Sequence, residues 1–319
     1  MDFDINNFNN CRETAKTTEL APSAEDNIPQ KRLKNFKKLK DLGRGAFGIC
    51  ALYKDETSRL NKKVVIKRVS LECQSENDKR AISYEASLLK KLSHPNVIRF
   101  YDSFVELEQL CILMEYLDGG TMERMIQERK GIKMGQDLVL YYFTQIVLAL
   151  DHMHALKILH RDIKTANIFL NRKMTIVKVG DFGISKELNS KCAQASTFVG
   201  TMNYVSPEIC EGRAYGPKSD VWAVGCVLYE LVELHKAFDG DSIQLLLLRI
   251  ARGQHGPISS TVTPGMRELI ENVMEIDENR RPNTTEILLK PMVLQKWMEI
   301  HTNLGRIEPD IELYTKETH

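Results

Sequence analysis

Two fragments decide the fold of this chain: HRDIKTAN at His160–Asn167 and GDFG at Gly180–Gly183. They put Asp162 and Asn167 on one short loop and Asp181 on the next. This spacing sets an acceptor for a hydroxyl proton beside two oxygen ligands of the kind that magnesium prefers. Positioning and charge neutralisation of this kind are most of what phosphoryl transfer requires from a protein.

The composition indicates a folded protein with two domains or two lobes. The chain has 319 residues, 43% hydrophobic and 27% charged, which is enough to bury a sizeable core. A formal net charge of +1 provides no field that would attract nucleic acid or an anionic membrane. The seven cysteines are scattered singly, and the first residues lack the apolar run of a secretory signal. We therefore expect a cytoplasmic or nuclear protein that binds neither nucleic acid nor membrane.

The hydrophobic pattern changes once along the chain, from short strands to helices. Strand-like runs are predicted up to about Met114, interrupted by one helix near Lys79–Leu92. Helical periodicity dominates after Gly119–Gly120, and Ser219–Glu233 is apolar nearly all round, which indicates a buried helix. The expected fold is therefore α+β, with a small β-rich N-lobe and a larger helical C-lobe. The expected boundaries are 1–35 for a disordered tail, 36–114 for the N-lobe, 115–120 for the hinge, 121–296 for the C-lobe and 297–319 for a short tail.

A basic run, KRLKNFKKLK at Lys31–Lys40, precedes the first predicted strand. A nuclear-import or nucleic-acid patch is one interpretation. A solvated strand entrance is the favoured one, because Phe36, Leu39 and Leu42 supply apolar anchors among the lysines.

Three glycines, Gly43, Gly45 and Gly48, form the pattern G-x-G-x-x-G. A dinucleotide-binding turn shares this pattern, but it requires a helix straight after the glycines, and residues 49–54 alternate like a strand. We expect a hairpin whose backbone N–H groups approach phosphate oxygens. A bare hairpin turn is the alternative.

Lys67 and Glu85 are expected to form an ion pair. Lys67 ends a β-branched strand, and Glu85 lies on the apolar stripe of the predicted helix, where an unpaired carboxylate would be costly. The pair would hold the lysine amine against the nucleotide phosphates. Two unrelated surface charges are the alternative.

The motifs and their order, from about Phe36 to Lys296, resemble those of the eukaryotic protein kinases. Several segments are similar in sequence to those of the NIMA-related (NEK) kinases. They are LSHPNVIRFYDSF (92–104), ILMEYLDGGTM (112–122), ILHRDIKTANIFL (158–170) and STFVGTMNYVSPE (196–208). This resemblance implies a two-lobed protein-kinase fold and transfer of the γ-phosphoryl group of ATP to Ser/Thr of protein substrates, with Mg2+ as the metal. It also implies a role in the cell cycle, at the centrosome or in the cilium.

The resemblance assigns roles to individual residues. The catalytic residues would be Asp162, Lys164, Lys67 and Glu85, and the metal ligands Asn167 and Asp181. The remaining ATP-binding positions would be Leu42, Gly43, Arg44, Gly45, Ala46, Phe47, Gly48, Cys50, Val65, Met114, Glu115, Leu117 and Phe169. Lys164 resembles the serine/threonine class, where this lysine contacts the transferred phosphate. His160 is expected to be a packed core histidine rather than a catalyst.

Cys50 and Val65 depart from the valine and alanine that most kinases carry in the adenine pocket. They are the basis for an alternative function, a catalytically weak pseudokinase that acts as a scaffold. A kinase for small molecules is disfavoured by Lys164 and by the segment that ends in SPE.

The segment between Asp181 and Ser206 contains candidates for regulatory phosphorylation. Thr197 is the first candidate and Ser196 the second, because Arg161 supplies a nearby fixed cation that a phosphate could bind. An activating kinase or a binding partner would then control the protein. Beneath this segment, Glu208 and Arg281 resemble a buried ion pair of the family.

Overall fold

Short strands that alternate in polarity build an antiparallel sheet from the first third of the chain. The structure is a computed structural model that describes residues 33–45, 48–57, 62–71, 89–181 and 202–304. The sheet has five strands in the order β1-β2-β3-β5-β4. Their bounds are Phe36–Gly45 (β1), Gly48–Asp55 (β2), Lys63–Ser70 (β3), Phe100–Glu106 (β4) and Gln109–Glu115 (β5). The prediction of strands up to about Met114 is confirmed.

The two faces of this sheet differ because side chains alternate along each strand. One face forms a small apolar core that includes Tyr53, Val64 and Ile66. The opposite face carries Val65 and Lys67, which line the cleft between the lobes.

The glycine-rich segment forms the hairpin that the alternation predicted. Gly45 on β1 pairs with Gly48 on β2 in antiparallel register. Gly48 has a φ of +138°, and a Cβ at this position would collide with the carbonyl oxygen of Arg68 on β3. Only glycine therefore fits where β2 starts beside β3.

The chain after Glu115 is mainly helical, apart from a two-stranded sheet of Ile168–Leu170 (β6) and Val177–Val179 (β7). The α-helices within the described ranges are Met122–Glu128 (α1), Gln136–Ala155 (α2), Pro207–Cys210 (α3), Pro217–Glu233 (α4), Ile243–Ala251 (α5), Pro264–Val273 (α6), Thr284–Leu288 (α7) and Pro291–Leu304 (α8). Helix α8 continues past the predicted domain end at Lys296. In this part of the chain no helix is long and apolar enough to cross a membrane.

Helix α4 forms the centre of the C-lobe. Every residue from Ser219 to Glu233 is buried, which confirms the prediction from its apolar pattern. Trp222 stacks on Phe238 with 5.6 Å between ring centroids. At Gly225 a Cβ would lie 2.6 Å from Met274 Cγ, so glycine permits close packing of α4 against the end of α6.

The predicted helix near Lys79–Leu92 falls mostly outside the described residues. Its last part is a short 3-10 turn, Leu89–Lys91, and Leu89 and Leu92 are both buried. Glu85 lies outside the described residues, so its pairing with Lys67 stays a prediction.

A buried ion pair joins Glu208 of α3 to Arg281, which precedes α7, as the resemblance implied. Arg281 Nη1 and Nη2 each lie 3.0 Å from a carboxylate oxygen of Glu208, and both side chains are fully buried. Burial alone would raise the pKa of Glu208, but hydrogen bonds from Arg281 and Ser219 lower it to about 2. The guanidinium also donates to the carbonyl oxygens of Lys218 and Glu275. This pair therefore ties α3 to the loop that precedes α7.

We expect Arg281→Gln to lower the free energy of unfolding by about 3–5 kcal/mol, because the variant leaves the Glu208 carboxylate buried without its cation. Denaturant unfolding followed by circular dichroism measures this change. Arg213→Gln is the matched control, since Arg213 pairs with Glu211 and Glu278 at the surface and its loss should lower stability far less. Equal losses in the two variants would contradict the assigned difference.

Candidate active site

The loop that follows α2 and carries Asp162 is fixed by a buried carboxylate, Asp220 of α4. Asp220 accepts backbone N–H groups of His160 at 2.9 Å and of Arg161 at 3.0 Å. Tyr215 donates its hydroxyl to the same carboxylate at 2.6 Å, and His154 Nε2 lies 3.0 Å from it. Arg161 has a φ of +66°, which is costly for a residue other than glycine. The bonds to Asp220 hold the loop in this conformation.

His160 links this loop to the strand that leads to Asp181. Its Nδ1 accepts the backbone N–H of Asp162 at 3.2 Å, and its Nε2 donates to the Gly180 carbonyl oxygen at 3.1 Å. Complete burial lowers the pKa of His160, so the ring is neutral with its proton on Nε2. This arrangement fits the expected structural role.

The carboxylate of Asp162 is positioned by two side chains of its own loop. Lys164 Nζ lies 2.9 Å and Asn167 Nδ2 2.8 Å from Asp162 Oδ2. Asn167 Nδ2 also donates to the Asp162 carbonyl oxygen at 2.9 Å. Because both of these bonds use the nitrogen of the Asn167 amide, they leave its oxygen available as a cation ligand.

Lys67 of β3 forms an ion pair with the carboxylate of Asp181, which follows β7. Lys67 is buried, and Asp181 has a φ of +56°, so like Arg161 it adopts the left-handed region. The pair brings an N-lobe cation to a C-lobe carboxylate across the cleft. Both residues were predicted to contact the metal or the phosphates.

A cavity of about 700 Å³ opens where these groups meet. The predicted site residues that line it are Leu42, Gly43, Gly48, Cys50, Val65, Lys67, Met114, Glu115, Leu117, Asn167, Phe169 and Asp181. Asp162 and Lys164 lie beside it through their bonds to Asn167 and to each other. Gly45 and the backbone of Arg44 belong to β1. Ala46, Phe47, Ser196 and Thr197 lie outside the described residues.

The part of the cavity lined by Cys50, Val65, Met114 and Phe169 is apolar. Cys50 lies opposite Lys67 in the β2–β3 register, and Val65 lies opposite Met114 in the β3–β5 register. Burial raises the pKa of the Cys50 thiol to about 11, which keeps it neutral at physiological pH. The departures at Cys50 and Val65 thus leave this part of the cavity lined by uncharged side chains.

An ion pair that sequence reasoning missed joins the end of β5 to β7. Lys178 Nζ lies 2.9 and 2.8 Å from the two carboxylate oxygens of Glu115. Glu115 Oε2 also accepts the backbone N–H of Arg99 at 3.0 Å. Lys178 stands three residues before Asp181 in the sequence, so the pair connects the last residue of β5 to the segment that carries this carboxylate.

Asp220 and Lys178 were not predicted as site residues. The signal for Asp220 was a carboxylate at the start of a mostly apolar segment, where a buried charge requires partners. Lys178 gave a weaker signal, a lysine between two valines, and its partner lies 63 residues away in the sequence.

A protein-family comparison agrees with this geometry. The model described as "Protein kinase domain" matches residues 36–293. The serine/threonine-protein kinase nekl-2 of Caenorhabditis elegans is 44% identical over 282 residues, which are 86% of this chain and 79% of the relative. Nek8 of Danio rerio is 43% identical over 276 residues, and Nek5 of Homo sapiens 40% over 255 residues. The matches cover 86% and 80% of this chain but only 39% and 36% of those two longer relatives.

These matches support an enzyme over the scaffold alternative. The similarity extends over both lobes and includes the loops that carry Asp162 and Asp181. The chain therefore belongs to the NIMA-related (NEK) family of serine/threonine protein kinases.

Proposed function

We propose that this kinase transfers the γ-phosphoryl group of Mg-ATP to serine and threonine hydroxyls of proteins, with Asp162 accepting or orienting the hydroxyl proton. The observation that carries the proposal is the convergence of Asp162, Asn167, Asp181 and Lys67 at one end of a cavity whose other end is apolar. The apolar end suits adenine, and the charged end suits the phosphates.

Magnesium fits the donor set at the charged end. Asn167 has a free amide oxygen and Asp181 a carboxylate, and hard oxygen ligands are those that magnesium prefers. When bound, the metal would neutralise charge on the phosphate oxygens. Lys67, now paired with Asp181, is close enough to exchange this partner for a phosphate oxygen. Lys164 would hold the Asp162 carboxylate in position toward the substrate hydroxyl.

The kinase domain proposed here spans residues 36–296, with the hinge at 115–120 and tails on either side. Phosphorylation of Thr197, or of Ser196 as the second candidate, would order the segment before α3 through a charge-assisted bond to Arg161. An activating kinase or binding partner would supply this control. Family membership is the basis for proposing cytoplasmic work at centrosomes or cilia, which imaging of a tagged chain would test.

Asp162→Asn should lower kcat by about 10²–10⁴-fold, because the amide cannot accept the hydroxyl proton. Radiolabelled transfer from γ-labelled Mg-ATP to casein measures the loss, and ATP affinity should stay nearly unchanged. Asp102→Asn is the matched control, since Asp102 pairs with Lys90 at the surface of the N-lobe. Undiminished transfer by Asp162→Asn would refute the role of Asp162.

Charge reversal at the hinge pair should raise the KM for ATP and lower the melting temperature. Lys178→Glu sets two carboxylates side by side, and Glu115→Lys sets two cations together. The double reversal should restore much of the loss, with a coupling energy of about 1–3 kcal/mol. The exposed pair Arg124–Glu128 serves as the control and should show little coupling. Purely additive effects of the two hinge substitutions would show that the pair does not act as a unit.

Thr197→Ala should reduce kcat roughly tenfold, because the variant cannot carry the phosphate that orders the loop. Thr197→Asp should keep part of the activity, and Ser196→Ala serves as the neighbouring control. Mass spectrometry of the active enzyme identifies the phosphorylated residue. Full activity in both Thr197 variants would remove Thr197 as the regulatory site.

A further inference from the structure

Three lysines form a row across the outer end of the N-lobe sheet. Lys37 on β1 is the register partner of Lys54 on β2, and Lys54 is the register partner of Lys63 on β3. Directly opposed residues on antiparallel strands project from the same face, with Cβ atoms about 4.5–5.5 Å apart. Like charges in such positions repel and destabilise the sheet. We call these three residues the lysine row.

No acidic side chain in the described part of the chain pairs with the lysine row and offsets this repulsion. Lys37 and Lys63 are exposed, Lys54 is half-buried, and none of the three makes an ion pair within the ranges that the structure covers. Glu56 follows Lys54 by two residues and is exposed, but it makes no ion pair with the row. The two other acidic residues, which lie on β1 and β2, have different partners. Asp41 pairs with Lys38 at 2.7 Å, and Asp55, on the other face of the sheet, binds the backbone and hydroxyl of Thr57.

The lysine row is separate from the phosphate end of the nucleotide cavity. Val65, which lines the apolar part of the cavity, stands two residues after Lys63 on the same sheet face. Lys67, the phosphate-facing lysine, stands two residues further along β3. The lysine row therefore lies beyond the adenine end, and the phosphates of a bound nucleotide would not reach it.

Protection of a sheet edge explains only part of this pattern. Among the strands of the described chain, β1 pairs with β2 alone, and lysines on an edge strand discourage aggregation. That reason covers Lys37 but not Lys54 and Lys63, which belong to inner strands. A row across three strands, kept at a cost in repulsion, indicates a surface that meets negative charge.

We propose that the lysine row binds the acidic side chains of an extended segment of a partner protein that crosses β1, β2 and β3. The carboxylate or phosphate groups of this segment would neutralise the row. The row spans only two strand spacings, about 10 Å, which suits a few side chains of a peptide better than a nucleic-acid backbone or a membrane. The net charge of +1 on the whole chain likewise provides no wider basic field.

Fluorescence anisotropy with a labelled decapeptide of alternating glutamate and threonine tests this proposal. The row variant is Lys37→Gln/Lys54→Gln/Lys63→Gln. The matched control is Lys91→Gln/Lys157→Gln/Lys173→Gln, which removes the same charge from exposed lysines outside the row. We expect the row variant to weaken peptide binding roughly tenfold and the control variant less than about twofold, with affinity falling as salt increases.

Two further measurements separate binding from folding and identify the anionic group. The row variant should melt at a higher temperature than the wild type at low salt, because repulsion is removed, and should still bind Mg-ATP. A peptide with phosphoserine in place of glutamate distinguishes a phosphate partner from a carboxylate partner. A glutamine version of the peptide should not bind.

Four outcomes would overturn the proposal. They are undiminished peptide binding by the row variant, equal loss in the row and control variants, no peptide binding by the wild type, and binding of phosphatidylserine vesicles or single-stranded DNA in place of the peptides. None of these readouts depends on phosphoryl transfer, so the result stands apart from the proposed roles of Asp162 and Asp181.

Discussion

A single buried carboxylate, Asp220 of α4, supports the backbone of the loop on which Asp162 and Asn167 stand. Its oxygens receive two backbone N–H groups of that loop and the Tyr215 hydroxyl. Burial would raise the pKa of Asp220, but the hydrogen bond from His154 and the other donors hold it below its ordinary value. The carboxylate therefore stays ionised and keeps a loop with a left-handed Arg161 in place.

The rest of the site is positioned relative to this loop by a few polar contacts. His160 reaches from the loop to Gly180, so the segment with Asp181 follows the loop with Asp162. Val179 also pairs with Val97 ahead of β4, and Lys178 holds Glu115 at the end of β5. These contacts connect the elements that would hold the nucleotide and the substrate. A reaction that depends on positioning requires such fixed elements.

Much of the fold followed from periodicity and glycine chemistry. The alternation of apolar and polar residues after Gly48 indicated a strand and excluded a dinucleotide-binding turn. The mostly apolar composition of Ser219–Glu233 indicated a buried helix. The candidate site residues Asp162, Asn167 and Asp181 could be selected from the sequence because their motifs are short and local. The ion pair between β5 and β7 could not be, because neither Glu115 nor Lys178 has a sequence neighbour that predicts the other.

The sequence by itself determined the class of fold, the order of the lobes and the residue types of the site. Those properties depend on local spacing, side-chain period and the chemical needs of phosphate and magnesium. Only the tertiary structure decided that Lys67 pairs with Asp181, that Lys178 clamps Glu115 and that three lysines align across β1, β2 and β3. Such pairings depend on strand register and on contacts between distant segments, which a hydrophobic pattern leaves unspecified.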